Sequence, residues 1–278
     1  MPRLPERLLF TRLLTAVLLL AGFIAALLLL DRAQFAGVVG VIVALAAHEW
    51  AKLCRLNPGF AIAYAGGVVA AFAALGGLLP PLQTASGAIV LFGGALIFWC
   101  VAVPIWLYKG MGPSSARLLP LAGLVVLIPA ALAMVALPPV QLLLVLALAW
   151  IADTAAYGAG RAFGRRKLAP SISPGKTWEG VAGAVAATLA YAIVCVALVP
   201  SLKSSVQGAV WIAYLGGAAF LCALSVLGDL FESAAKRQAG VKDSGALLPG
   251  HGGVLDRIDS ATATLPAAVL LLRELTRP

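Results

Sequence analysis

The strongest constraint on this chain is the recurrence of apolar runs about as long as a bilayer is thick. About 20 apolar residues cross the hydrocarbon core as a helix. Such stretches fall at 13–30, 35–51, 60–79, 87–108, 118–137, 140–163, 178–199, 209–231 and 254–272. The chain is 62% hydrophobic and 11% charged over 278 residues, whereas an ordinary soluble domain carries about 25% charged residues. No single soluble core could hide this surface. The expected fold is all-α, a polytopic transmembrane helix bundle of about nine spans. Five spans fall in 1–139, and 140–278 holds the remaining helices with two polar loops. The first run lacks a convincing small-x-small cleavage site and more spans follow, so it is read as a retained helix rather than a signal peptide.

Charge fixes an expected orientation. With the N-terminus in the cytoplasm, every Lys and Arg except Arg32, Lys203, Arg273 and Arg277 faces inward, as the positive-inside rule requires. The formal charge of +9 could suggest nucleic acid. The basic residues sit in short loops beside apolar spans, a pattern that topology and anionic head groups account for, so no nucleic-acid partner is expected. Cys54, Cys100, Cys195 and Cys222 lie far apart with no Cys-x-x-Cys pair, which argues against a metal cluster or a disulfide framework.

Acids inside apolar spans carry the next signal. Glu49, Asp153, Glu179 and Asp229 lie in or at the ends of spans, and under this topology all fall toward the cytoplasmic side. An acid at bilayer depth costs roughly 2.5–3.5 kcal/mol on insertion scales and generally faces a cavity or a partner. Asp229, Glu232, Ser233 and Lys236 fall at i, i+3, i+4 and i+7 on one helix face, and Asp256 and Asp259 share another. The uncharged run after them, 261–272, is too short to span alone, so the last helix is expected to begin in a polar site. Oxygen ligands without cysteine suit a hard cation such as Mg2+. Interhelical ion pairing, for example Asp153 with Arg161 or Asp229 with Lys236, is the competing explanation of each acid alone. His48-Glu49-Trp50 lies near an interface, where a structural or supporting role suits Glu49 better than catalysis.

Two basic loops flank these acids. The first contains Ser173-Pro174-Gly175-Lys176-Thr177-Trp178-Glu179-Gly180. Its Gly-Lys-Thr is not a soluble P-loop, since no strand precedes it and a glycine is missing. Ser173 and Thr177 are expected helix caps, and free N–H groups at that helix start beside Lys176 would favour phosphate. Arg165-Arg166-Lys167 alone suits a lipid head-group anchor. The second loop, within 233–259, holds Lys236, Arg237, Lys242 and Arg257 around Gly250, His251, Gly252 and Gly253. The glycines allow close backbone approach to a ligand, and the cations can balance a polyphosphate. For His251, a phosphate hydrogen bond is favoured over proton transfer, because phosphoryl chemistry needs mainly positioning and charge neutralisation. The residues alone point to a membrane enzyme that joins a soluble phosphate donor to a lipid.

Ser233-x-x-Lys236-Arg237-x4-Lys242-Asp243-x-Gly245-x2-Leu248-Pro249-x-His251-Gly252-Gly253-Val254-x-Asp256-Arg257-Ile258-Asp259 resembles the signature of phosphatidate cytidylyltransferases, or CDP-diacylglycerol synthases. The block Ile172-Ser173-Pro174-x-Lys176-Thr177-Trp178-Glu179-Gly180 resembles the family's second characteristic segment. The resemblance covers residues 150–275 in detail. It implies transfer of CMP from CTP to phosphatidate in a multi-pass enzyme of the inner (cytoplasmic) membrane, with the site on the cytoplasmic side. It implies Mg2+ held by Asp229, Asp256, Asp259 and Asp153, with a second, monovalent cation left open. Asp229, Lys236, Arg237, Asp256 and Arg257 would act in catalysis. Ser173, Lys176, Thr177, Lys242, His251, Gly252 and Gly253 would bind substrate, and the enzyme would be a homodimer. Two rival readings stay open at this point. A transporter also tolerates intramembrane acids, and another lipid-phosphate enzyme could use ATP or a sugar nucleotide.

Overall fold

The computed structural model describes residues 6–78, 85–248, 250 and 252–275. In chain order the helices are α1 (Glu6–Leu29), α2 (Arg32–Leu53), α3 (Pro58–Leu78), α4 (Ala85–Ile97), a π-helical turn (Phe98–Ala102), α5 (Val103–Lys109), α6 (Pro113–Ala136) and α7 (Pro139–Phe163). A short hairpin of β1 (Lys167–Ala169) and β2 (Ser173–Thr177) follows. Then come α8 (Trp178–Leu198), α9 (Pro200–Ser205), α10 (Val210–Ala239) and α11 (Leu255–Leu275). The expected helix bundle is observed, and the chain is a multi-pass membrane protein.

Local chemistry sets the helix ends. Asp31 caps α2, accepting from Gln34 N at 2.8 Å while Gln34 Oε1 accepts from Asp31 N at 3.1 Å, a reciprocal capping box. Pro113 and Pro139 start α6 and α7, where the missing N–H costs nothing and φ is already helical. Gly240, at φ 76°, ends α10, the left-handed stop that glycine supplies without strain.

Among the described residues seven helices are long and apolar enough to cross a membrane: α2, α3, the α4–π–α5 rod, α6, α7, α8 and α10. They coincide with seven of the expected stretches. The other two are α1, whose described apolar part is Leu14–Leu29, and α11, which opens with Asp256, Arg257 and Asp259. α11 packs against α10, α6, α4, α7 and α2, and Ala261, Thr262, Ala263, Thr264, Leu265, Ala267 and Ala268 are all buried in it. The least apolar long helix is thus enclosed by the others, which shield its hydroxyls and acids from lipid. Thr264 Oγ1 bonds back to Ser260 O at 3.1 Å, so buried hydroxyls find partners within the helix.

The core crosses from the first half of the chain to the second. Phe231 of α10 sits among Trp50, Phe98, Trp99 and Trp106 at ring-centroid distances of 6.0, 5.7, 5.6 and 5.7 Å. The π-helical turn brings both Phe98 and Trp99 onto Phe231. Neither that turn, the hairpin nor α9 is foreseen by apolar periodicity. A π turn sits inside a continuous apolar run, and β2 contains Pro174 and Gly175, which are poor strand formers.

Candidate active site

A buried polar knot joins α10 to α11. Lys236 Nζ donates to Glu232 Oε2 and to Asp256 Oδ1, each at 2.6 Å. Glu232 is 2% exposed and Lys236 9%. The i, i+4 spacing of Glu232 and Lys236 brings them together on one face, and Asp256 meets them from the first turn of α11. Glu232 Oε1 is buried without a hydrogen-bond partner.

The loop between these helices is folded around Asp256. Its Oδ2 accepts from Ser244 N at 3.0 Å, Ser244 Oγ at 2.9 Å and Gly253 N at 2.8 Å. Leu248 and Gly252 form an isolated antiparallel bridge, with Leu248 N donating to Gly252 O at 2.9 Å. Gly252 has φ 80°, and a Cβ there would lie 2.6 Å from Asp256 Oδ2. Only glycine satisfies both the left-handed backbone and this approach. From α2, Glu49 Oε1 accepts from Val254 N at 3.1 Å and Oε2 from Leu255 N at 2.8 Å.

A second polar group lines a cavity of about 340 Å3 between α7, the hairpin, α8 and α10. Asp153, Tyr157, Arg161, Ser173, Lys176, Thr177 and Asp229 all reach it. Lys176 Nζ lies 2.6 Å from Asp229 Oδ2, with both side chains partly exposed. Asp153 accepts from Ser260 Oγ at 3.1 Å and lies 3.5 Å from Ser225 Oγ. Thr177 caps α8, accepting from Gly180 N at 3.1 Å. Glu179 accepts from the backbone N–H groups of Arg165 and Arg166 at 3.0 and 3.2 Å, which turns the basic loop back over the helix start. Close crossings fix these elements. A Cβ at Gly180 would meet Ala156 O at 2.7 Å, and one at Gly228 would meet Asp259 O at 2.6 Å.

The two sequence blocks therefore converge. Asp153 and Asp229 lie within electrostatic reach of Asp259, and Arg237 Nε donates to Ile172 O at 3.3 Å, tying the end of α10 to the hairpin. Two details differ from the sequence reading. Ser173 begins β2 and lines the cavity rather than capping α8, because the hairpin places it four residues before the cap, Thr177. In place of the Asp229–Lys236 pair that ion pairing, the competing explanation, would have made, Asp229 pairs with Lys176, and Lys236 takes Glu232 and Asp256. Lys242 and Arg257 are exposed, and His251 lies outside the described residues. The sequence placed Glu232 on the helix face of Asp229 and Lys236 without naming its partner, and it gave Ser225, Ser244 and Ser260 no role. The serines carry no signal before the fold joins α7, α10 and α11.

Among the described residues no three His, Cys, Asp or Glu side chains converge on one point as a metal cluster. The donor set nevertheless fits a hard cation in kind. It is oxygen only, and Glu232, across Lys236 from Asp256, keeps a buried Oε1 with no hydrogen-bond partner. A further cavity of about 300 Å3 opens at the opposite end of α7, α8 and α10, near Pro138, Val199 and Leu202. Among the described residues no Asp, Glu, Lys, Arg or His lines it, so these residues offer no charge to balance a phosphate there.

The model of the Cytidylyltransferase family matches residues 10–275. The chain is 43% identical over 270 residues to a phosphatidate cytidylyltransferase of Pseudomonas aeruginosa, covering 94% of this chain and 96% of that one. It is 51% identical over 125 residues to a protein of the same name from Haemophilus influenzae, covering 45% and 43% of the two chains. A Thermotoga maritima protein of that name is 41% identical over 131 residues, covering 47% and 48%.

Proposed function

The chain belongs to the cytidylyltransferase family, and we propose that it transfers the cytidylyl group of CTP to phosphatidate, giving CDP-diacylglycerol and pyrophosphate. The observation that carries this reading is the Lys176–Asp229 pair across a polar cavity in an otherwise apolar bundle. It ties the first sequence block to α10, the helix that leads into the second, at a place where a lipid phosphate can meet a soluble nucleotide.

A phosphatidate phosphate oxygen attacks the α-phosphorus of CTP. The new P–O bond forms as the bond to the β-phosphate breaks, and pyrophosphate leaves. The nucleophile is already an anion, so the site needs positioning and charge neutralisation more than a strong base. Lys176 and Arg237, joined through the hairpin, and the exposed Lys242 and Arg257 hold phosphate oxygens. Ser173, Thr177, Gly252, Gly253 and His251 complete the substrate contacts. Lys236 keeps Asp256 oriented.

Mg2+ would be held by Asp153, Asp229, Asp259 and Asp256, the last through a carboxylate whose Oδ1 accepts from Lys236. When bound it would neutralise phosphate charge. The concentration of basic residues in one set of loops supports a cytoplasmic N-terminus, an active site facing the cytoplasm and residence in the inner membrane. A homodimer is what the family resemblance implies, and the mass of the purified complex tests it. The reaction is tested by incubating the purified enzyme in phosphatidate vesicles with CTP, ATP or UDP-sugars and following pyrophosphate and lipid product. Product from CTP and phosphatidate together supports the reading, and equal use of ATP would defeat it.

A further inference from the structure

We infer that Glu49 of α2 is a positioning residue for this reaction, and that through it the N-terminal helices set the geometry of the catalytic loop. The inference rests on the proposed cytidylyl transfer. Glu49 is 4% exposed, and among the described residues no cation pairs with it. A buried carboxylate without a cation is costly unless N–H or O–H groups satisfy it. Here they come from a single segment of the other half of the chain. Val254 N and Leu255 N donate one to each oxygen. These are free N–H groups at the start of α11, where the helix dipole also favours negative charge.

Ser244 extends the link to the site. Its Oγ lies 3.1 Å from Glu49 Oε2 and 2.9 Å from Asp256 Oδ2. Its one proton bridges the two acids, serving either one at a time. The space around the carboxylate admits nothing more. A Cβ on Gly245 or on Gly253 would run into Glu49, and one on Gly253 also into Ser244. The glycines of the loop thus accommodate a protein carboxylate as well as a ligand. α2 itself is held firmly. Trp50 Nε1 donates to Leu119 O at 2.8 Å, and its ring packs 6.0 Å from Phe231. Glu49 therefore transmits a fixed position from the N-terminal core to residues 244–256.

The test compares Glu49→Gln with wild type in phosphatidate vesicles with CTP, together with hydrogen exchange of the 244–255 amides. Glutamine keeps the volume but replaces one acceptor oxygen with a donor. The expected result is a kcat lower by about tenfold or more, with both KM values within about threefold and exchange of those amides clearly faster. If Glu49→Gln does not fold, Ser244→Ala carries the same test, since it removes only the hydroxyl bridge and should give a smaller change of the same kind. Wild-type kcat and exchange in the folded variant, or a loss confined to KM, would overturn the inference. Wild-type enzyme without CTP-dependent turnover would instead defeat the functional reading.

Discussion

Lys236 Nζ lies 2.6 Å from both Asp256 Oδ1 and Glu232 Oε2, so one cation holds two buried acids from adjacent helices. Lys236→Met removes the only charge that balances them at contact distance among the described residues. Breaking a buried pair in this way costs about 3–5 kcal/mol. The expected outcome is a fall in unfolding temperature on the order of 5–10 °C in detergent, with turnover lost. Thermal unfolding of the purified variant checks this, and an unchanged midpoint would contradict the buried-knot description.

The Lys176–Asp229 pair should behave differently. Both side chains are partly exposed, and pairs of that kind contribute about 0–1 kcal/mol to stability. Lys176→Ala should therefore leave unfolding almost unchanged while lowering kcat/KM by about tenfold to a hundredfold, as loss of a charged phosphate contact would. Steady-state kinetics with CTP and phosphatidate varied separately would show which substrate loses the contact.

Packing predicts a third effect, remote from any charge. Gly228 leaves room for the backbone of Asp259 and Ser260 at the α10–α11 crossing. Gly228→Val should push these helices apart at the level of Asp229, costing about 1–3 kcal/mol. Activity should fall more than stability, because Asp229 and Asp259 separate. Parallel unfolding and turnover measurements would reveal the imbalance.

Chelation provides a fourth prediction. If the carboxylates of α7, α10 and α11 hold Mg2+, EDTA should stop turnover and added Mg2+ should restore it. Asp259→Asn should raise the Mg2+ concentration needed for half-maximal rate. Titration of rate against free Mg2+ measures both, and full activity in EDTA would remove the metal from the account.

Much of this arrangement was legible in the sequence because membrane insertion makes patterns explicit. An acid such as Asp229 in an apolar run stands out, and Asp256 with Asp259 ahead of a short apolar stretch correctly placed a polar site at the start of α11. Thr177 could be read as a cap from its position before an apolar run. The central position of α11 was not legible, because low hydropathy does not say what surrounds a helix. The Lys176–Asp229 pairing was likewise hidden, since it depends on a hairpin whose Pro174 and Gly175 argue against a strand. The loop contacts of Glu49 depend on a residue almost 200 positions away, and an interfacial acid beside Trp50 has no periodic signature that names its partners.

The most direct test of the central claim is stoichiometric. Purified enzyme in vesicles containing phosphatidate should release one pyrophosphate from CTP for each CDP-diacylglycerol formed, and Asp256→Asn should abolish both while still inserting and folding. Pyrophosphate release without lipid product, or wild-type-like turnover by Asp256→Asn, would contradict the account.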